Sequence, residues 1–236
     1  MRQAIEAALE KNATIISMSW TIPVPAEGSD EKKLLDSVLE RACKQKVPMF
    51  CSSSDQISDT DHYPSAFRRH RFFLIGAAHD DGSVYGHAGK DNDFIFPGVN
   101  VNTSGGRSLP LYLADKTSLT KESTGSSIAT ALAAGLAAMI TYCFKASALA
   151  TVMARTQQGK DYVARPELVK QADVDRIAEH DVLKTAFSRI GKVENGQFIQ
   201  VWDRFGPASN DLEDDNKSEE DKLECIMNLC SNLIER

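Results

Sequence analysis

Through its first half the chain alternates short continuous apolar runs with amphipathic stretches, the pattern of strands buried on both faces and helices laid over them. Ala4, Ile5, Ala8 and Leu9 fall at helical spacing and predict a short amphipathic helix ending near Lys11. The β-branched run from Thr14 to Ser19 follows as a first strand. Ser29 is placed as an N-cap, and Asp30 and Glu31 suit the positive end of a helix dipole. Leu34, Leu35, Val38, Leu39 and Ala42 are expected on one buried face of that helix, which stops near Gln45. Val47 to Ser53 is a second strand, so strand, helix and strand make a βαβ unit with parallel strands joined right-handedly.

Phe72 to Ala78 predicts a third strand, closed by the turn residues Asp80 to Ser83, and Phe94 to Phe96 a short fourth one that stops at Pro97-Gly98. From Asn102 to Thr124 the chain is polar and contains glycines, until a helix of small residues opens at Ser127. Beyond Ser147 the periodicity weakens. Helices are expected around Asp161 to Val169, Val174 to Ser188 and Leu223 to Glu235, with Phe198 to Trp202 as a candidate strand. No internal repeat is visible. The order predicts an α/β fold with a largely parallel sheet in residues 1–145, followed by a mainly helical extension over residues 146–236.

Composition narrows the function. With 236 residues and 42% hydrophobic content the chain has apolar material for one sizeable domain and an appendage. Residues 211–222 hold seven acidic side chains against Lys217 and Lys222, and so carry most of the net charge of −6. That run reads as a solvated acidic linker. The remainder is near neutral and has no basic stripe to neutralise phosphates, which argues against nucleic acid as a partner. Five cysteines, Cys43, Cys51, Cys143, Cys225 and Cys230, are an odd number without a Cys-x-x-Cys pair, and they indicate no disulfide framework. Met1 to Glu6 lacks the apolar core of a signal peptide, so a reducing intracellular, cytoplasmic location is expected. Ile128 to Phe144 is barely long enough to span a bilayer and is rich in Ala, Thr and Gly, so a buried helix is the stronger reading and no membrane partner is expected. With no G-x-G-x-x-G or Walker loop and no convincing cluster of metal ligands, neither cofactor nor metal is expected.

Chemistry enters at Ser123-Thr124-Gly125-Ser126-Ser127-Ile128-Ala129-Thr130. A Gly two residues before a Ser that opens a long helix places the hydroxyl at a helix N-terminus, where the backbone N–H and the dipole favour an oxyanion. Ala129, Ala131, Ala133, Ala134 and Gly135 let such a helix pass through a crowded core. The same residues also fit a Ser-rich cap on a buried Ala helix, and the motif alone leaves both readings open.

The series in order, Ile15 to Ser19, Val47 to Asp55, Tyr63-Pro64-Ser65, Ile75-Gly76-Ala77, Phe96-Pro97-Gly98-Val99 and Gly125-Ser126-Ser127-Ile128-Ala129, resembles the second half of the subtilisin-like serine protease domain. The resemblance covers about Arg2 to Tyr142, and Ser-Ile-Ala-Thr-Ala-Leu-Ala-Ala-Gly is most similar to a divergent intracellular, fungal-type branch. It implies a three-layer subtilisin-like fold whose N-terminal portion is absent from this chain. It also implies Ser127 as nucleophile of a serine endopeptidase acting on peptides or proteins through an acyl-enzyme. Ser17, Ser19 and Trp20 would line the substrate cleft from one side and Ser53 and Ser54 from the other. Asp55 and the Ser127 N–H would stand at the oxyanion hole.

The triad order in subtilisins is Asp, His, Ser along the chain. The family's Asp-Ser/Thr-Gly turn and His-Gly-Thr-His helix start belong upstream of Ile15, and neither motif occurs in this sequence. The missing N-terminal half is therefore an expected partner, and this chain alone is expected to be inactive. His62, His70, His79, His87 and His180 are poor substitutes, since most exposed histidines of this kind have no catalytic role, and His79 and Asp80, adjacent in a turn, seldom bond as base and orienter. Asp55 stands where the family usually has an Asn, and an ionised carboxylate cannot donate to an oxyanion. Removing that donor in a subtilisin costs about 2.7–4 kcal/mol of transition-state stabilisation. Trp20 either narrows the primary specificity pocket or packs in the core. Two readings stay open, a peptidase domain present without its N-terminal half and a pseudoenzyme that keeps the half-fold as an interaction module.

Overall fold

A computed structural model describes residues 1–55, 61–86, 91–102, 122–158, 169–190 and 198–234. The first half runs α1 (Arg2–Glu10), β1 (Ile16–Met18), β2 (Ile22–Pro23), α2 (Asp30–Lys44), β3 (Met49–Ser52), β4 (His62–Tyr63), β5 (Phe72–Ala78), β6 (Phe94–Pro97) and β7 (Val101–Asn102). There follow β8 (Glu122–Ser123), α3 (Ser126–Gln158), α4 (Gln171–Ile177), α5 (His180–Ser188), α6 (Val201–Glu213) and α7 (Glu219–Leu233). The main sheet has the order β1-β3-β5-β6 and is parallel throughout, with Ile16 opposite Met49, Phe50 opposite Phe73 and Ile75 opposite Phe94. Two short antiparallel pairs, β2 with β4 and β7 with β8, flank it.

The period of two sorts the strand residues onto two cores. Met49, Cys51 and Phe72 join Ile16 and Met18 on the face covered by α1 and α2, where Ile5, Leu9, Leu35, Val38 and Leu39 are buried. Phe50, Phe73, Ile75, Phe94 and Phe96 point to the opposite face, where α3, α4, α5 and α7 pack. The result is a helix, sheet, helix sandwich of three layers. Phe187 of α5 is the hub of the second core, with its ring 5.4 to 6.1 Å from those of Phe94, Phe73, Phe96 and Phe50. Burying each such ring contributes about 2 kcal/mol. Val169, Val174, Ile177, Leu183, Cys230 and Leu233 join the same core, so residues beyond 146 share the interior of the sheet.

Several elements differ from expectation for identifiable reasons. Ser29 caps α2 by accepting from the Lys32 N–H at 3.2 Å, but Leu34 is 52% exposed. The buried stripe is Leu35, Val38, Leu39, Ala42 and Cys43, and position 34 falls at its margin beside the exposed Arg41. Val174 to Ser188 is two helices rather than one. Buried Ile177 and Leu183 would lie roughly 240° apart on a continuous helix, and the break at Ala178 and Glu179 brings both onto the core. Phe198 and Ile199 extend the sheet only by a bridge to Ile95, with the Ile199 N–H donating to the Ile95 carbonyl at 3.2 Å. Helix α6 then begins at Val201, so Trp202 is helical and not part of a strand.

The terminal helix starts at Glu219 rather than Leu223, because Ser218 and Asp221 form a capping box. Residues 211–222 are the end of α6, a short turn and the first turn of α7. The expected helix at Asp161 to Val169 lies outside the described residues except for the buried Val169. So does most of the polar stretch from Asn102 to Thr124. The five cysteines are free thiols.

Candidate active site

The carboxyl ends of the parallel strands converge on the start of α3, the place where open α/β sheets position reactive groups. The turn before Ser127 hangs from three of those ends. From β6, the Gly98 carbonyl accepts the Gly125 N–H at 2.7 Å. From β3, the Ser53 carbonyl accepts the Ser126 hydroxyl at 2.6 Å, and the Asp55 carboxylate accepts the Ser126 N–H with both oxygens at 3.1 Å. From β1, the Ser19 hydroxyl donates to the Ser127 carbonyl at 3.1 Å.

Glycine is required at two points of this junction. Gly125 has φ +140°, a conformation L side chains rarely adopt, and a Cβ there would stand 3.1 Å from Asp55 Oδ2. A Cβ on Gly98 would come within 2.7 Å of the Ala77 Cβ and 3.0 Å of the Gly125 carbonyl. Smallness at 98 and 125 thus lets two backbone segments and a carboxylate crowd against the helix start.

Ser127 itself is exposed, while its neighbours Gly125 and Ser126 are buried. The Gly125 carbonyl accepts from Ile128 and Ala129, whereas the Ser127 N–H bonds to no other described residue. An N–H without a partner among the described residues, at the positive end of a 33-residue helix, is chemically suited to developing negative charge. No described histidine hydrogen-bonds Ser127: His79 sits edge-on to Tyr85, His180 bonds Asp181 and the Phe72 carbonyl, and His87 lies outside the described residues. Among the described residues no three His, Cys, Asp or Glu side chains gather as metal ligands.

The other predicted site residues are placed as follows. Ser17 is the outward, exposed position of β1, and Ser19 lies just beyond that strand. Ser53 is buried, and its hydroxyl has no hydrogen-bond partner among the described residues although its carbonyl is used. Ser54 is half-buried between Ser53 and Asp55. Trp20 is half-buried and packs on the core under α1 and α2 with Ile22 and Tyr63. The junction thus brings Ser19, Ser53, Asp55 and Ser127 together, while the Trp20 indole is used in packing. Sequence reasoning gave Ser126 no role beyond its hydroxyl, and its double tether to Ser53 and Asp55 has no local signature, since the partners lie more than seventy positions away.

Helix α3 is long and apolar enough, from Ser126 to Met153, to cross a membrane by length and composition. Its inner face, including Ala129, Ala133, Ala137, Ile140 and Phe144, is buried against all four strands of the main sheet. Its outer face exposes Leu132, Met139, Tyr142 and Leu149, with Tyr142 73% accessible.

Comparison with known proteins agrees with this architecture. The chain matches the Subtilase family over residues 1–181 and belongs to that family. Among solved structures it is similar to the PatG macrocyclase domain, with a TM-score of 0.53 at 18% identity over 85% of this chain and 53% of that one. It is similar to the protease domain of PatA, with a TM-score of 0.52 at 16% identity over 85% of this chain and 61% of that one. The prenylagaramide maturation protease PagA gives a TM-score of 0.51 at 15% identity over 86% and 64%. This chain therefore spans less than two thirds of each of these proteins. No curated protein matches it.

Proposed function

We propose that this chain is the Ser-bearing part of a serine endopeptidase domain, in which Ser127 attacks a peptide carbonyl and forms an acyl-enzyme. The observation that carries this reading is the exposed Ser127 at the start of α3, its N–H bonded to no described residue, held by the ends of β1, β3 and β6. Attack needs a base to take the hydroxyl proton and a donor to receive the oxyanion. The Ser127 N–H is one such donor. The base and its orienting Asp would come from an N-terminal half of the domain that packs beside β1 and over the outer face of α3. Two features support that partner. Among the described strands β1 pairs only with β3, leaving one edge open, and the outer face of α3 is apolar and exposed.

Ser17 and Ser19 on one side and Ser53 and Ser54 on the other would then flank an extended peptide. The intracellular location and fungal-type affinity remain part of this reading, supported by the Ser-Ile-Ala-Thr-Ala-Leu run and by five free thiols. A pseudoenzyme acting as an interaction module is the second reading, favoured by Asp55, whose carboxylate accepts a hydrogen bond where an amide donor would be needed. Fluorophosphonate labelling of Ser127 in the chain completed by a half-domain carrying the Asp and His motifs separates the two. Labelling lost in Ser127→Ala supports the peptidase.

A further inference from the structure

We propose that Asp55 is a built-in occupant of the anion position at the mouth of α3, an autoinhibitory contact and not a catalytic donor; the functional meaning of this rests on Ser127 being the nucleophile. The N–H groups of Ser126 and Ser127 are consecutive at the start of the helix, where backbone donors and the dipole attract one negative charge. Asp55 supplies that charge from within the protein. Both of its carboxylate oxygens lie 3.1 Å from the Ser126 nitrogen, while the Ser127 N–H beside it bonds to no other described residue.

Asp55 has close neighbours at both its ends, Gly125 beside the carboxylate and Gly86 beside the backbone carbonyl. On the helix side, Oδ2 fills the space beside Gly125, where even a methyl group would stand 3.1 Å away. On the other side, Gly86 packs so closely that a Cβ there would lie 2.8 Å from the Asp55 carbonyl oxygen. Gly86 has φ +66°, so a larger residue is disfavoured on two counts.

Two consequences follow for one side chain. Asp55 fixes the Gly125-Ser126 turn, beyond which Ser127 is exposed, so it acts as a positioning residue. The same carboxylate repels any second anion at the adjacent Ser127 N–H, including the oxyanion formed when Ser127 attacks a carbonyl. An Asn at this position would keep one acceptor oxygen for the Ser126 N–H, remove the charge and present an N–H donor.

The test uses the whole chain labelled with 15N and follows the Ser126 and Ser127 amide resonances during titration with inorganic phosphate at constant ionic strength. In the unaltered protein neither amide should show a saturable shift. In Asp55→Asn the Ser127 amide should, at phosphate concentrations at least about tenfold below any that move it in the unaltered protein. Asp55→Ala separates fastening from repulsion: Ser126 amide exchange should accelerate by roughly tenfold or more in Ala while staying slow in Asn. Equal phosphate responses in the unaltered and Asn proteins, or no response in Asn, would overturn the autoinhibitory role. Unchanged Ser126 exchange in Asp55→Ala would overturn the fastening role. Phosphate binding does not involve the Ser127 hydroxyl as nucleophile, so failure here is distinct from failure of Ser127 to react with a fluorophosphonate.

Discussion

The Ser126 hydroxyl donates to the Ser53 carbonyl at 2.6 Å, a buried hydrogen bond that joins the first residue of α3 to the end of β3. Ser126→Ala would remove the donor and leave a buried carbonyl unsatisfied, at a cost of about 1–3 kcal/mol. Ser126→Thr keeps the hydroxyl and should cost less. Urea unfolding should show a lower midpoint with unchanged slope for Ala. A midpoint for Ala equal to that of the unaltered protein would mean that the bond contributes nothing to holding the turn.

Asp93 makes a second long-range tie. Its carboxylate accepts from Lys184 of α5 at 2.5 Å, from Arg69 at 2.8 Å and from the Leu74 N–H at 2.9 Å, which fastens the start of β5 to the helical layer. Burial pushes its carboxyl upward, but hydrogen bonds from Lys184, Leu74 and Arg69 outweigh this and hold it below the usual carboxylate range. A depressed folded-state pKa adds stability that is present above the unfolded value near about 4 and is lost as pH falls through the folded value. Stability should therefore drop on acidification below about pH 4, and Asp93→Asn should flatten that part of the curve. Thermal unfolding across acid pH reads it, and an identical acid slope in Asp93→Asn would assign the loss to other carboxylates.

How much of this was legible varies with how local the cause is. The strand Phe72 to Ala78 was readable because all its residues are apolar, as a strand covered on both faces requires. The Ser29 cap and the end at Gln45 were readable because capping uses residues within one turn. The break at Ala178, the helical start at Val201 and the exposure of Leu34 were not, since packing against distant elements decides each of them. At the site, Gly125 and Ser127 carried a recognisable spacing, whereas the acceptor role of Asp55 and the Asp93 ties depend on residues far along the chain. A carboxylate gives no sign in sequence of which donor it will meet.

The outer face of α3 makes a separate expectation. Met139, Tyr142 and Leu149 are exposed apolar residues on one side of this helix. Such a patch favours association. The isolated chain should self-associate, and Tyr142→Lys with Leu149→Lys should shift it toward monomer while changing stability by only about 0.5 kcal/mol. Light scattering coupled to size exclusion measures this. A monodisperse monomer that binds no hydrophobic dye would show that the face needs no cover.

Fluorophosphonate labelling followed by peptide mapping reads the reaction of Ser127 itself. The chain alone should stay unlabelled because no described histidine hydrogen-bonds Ser127. Joined to or co-expressed with a subtilase N-terminal half that carries the Asp-Ser/Thr-Gly and His-Gly-Thr-His motifs, it should be labelled at Ser127, and Ser127→Ala should abolish the label. Asp55→Asn should raise the labelling rate of that assembly by relieving the charge at the helix mouth. Persistent silence in the assembled Asp55→Asn protein, or label carried by any residue other than Ser127, would exclude Ser127 as the nucleophile.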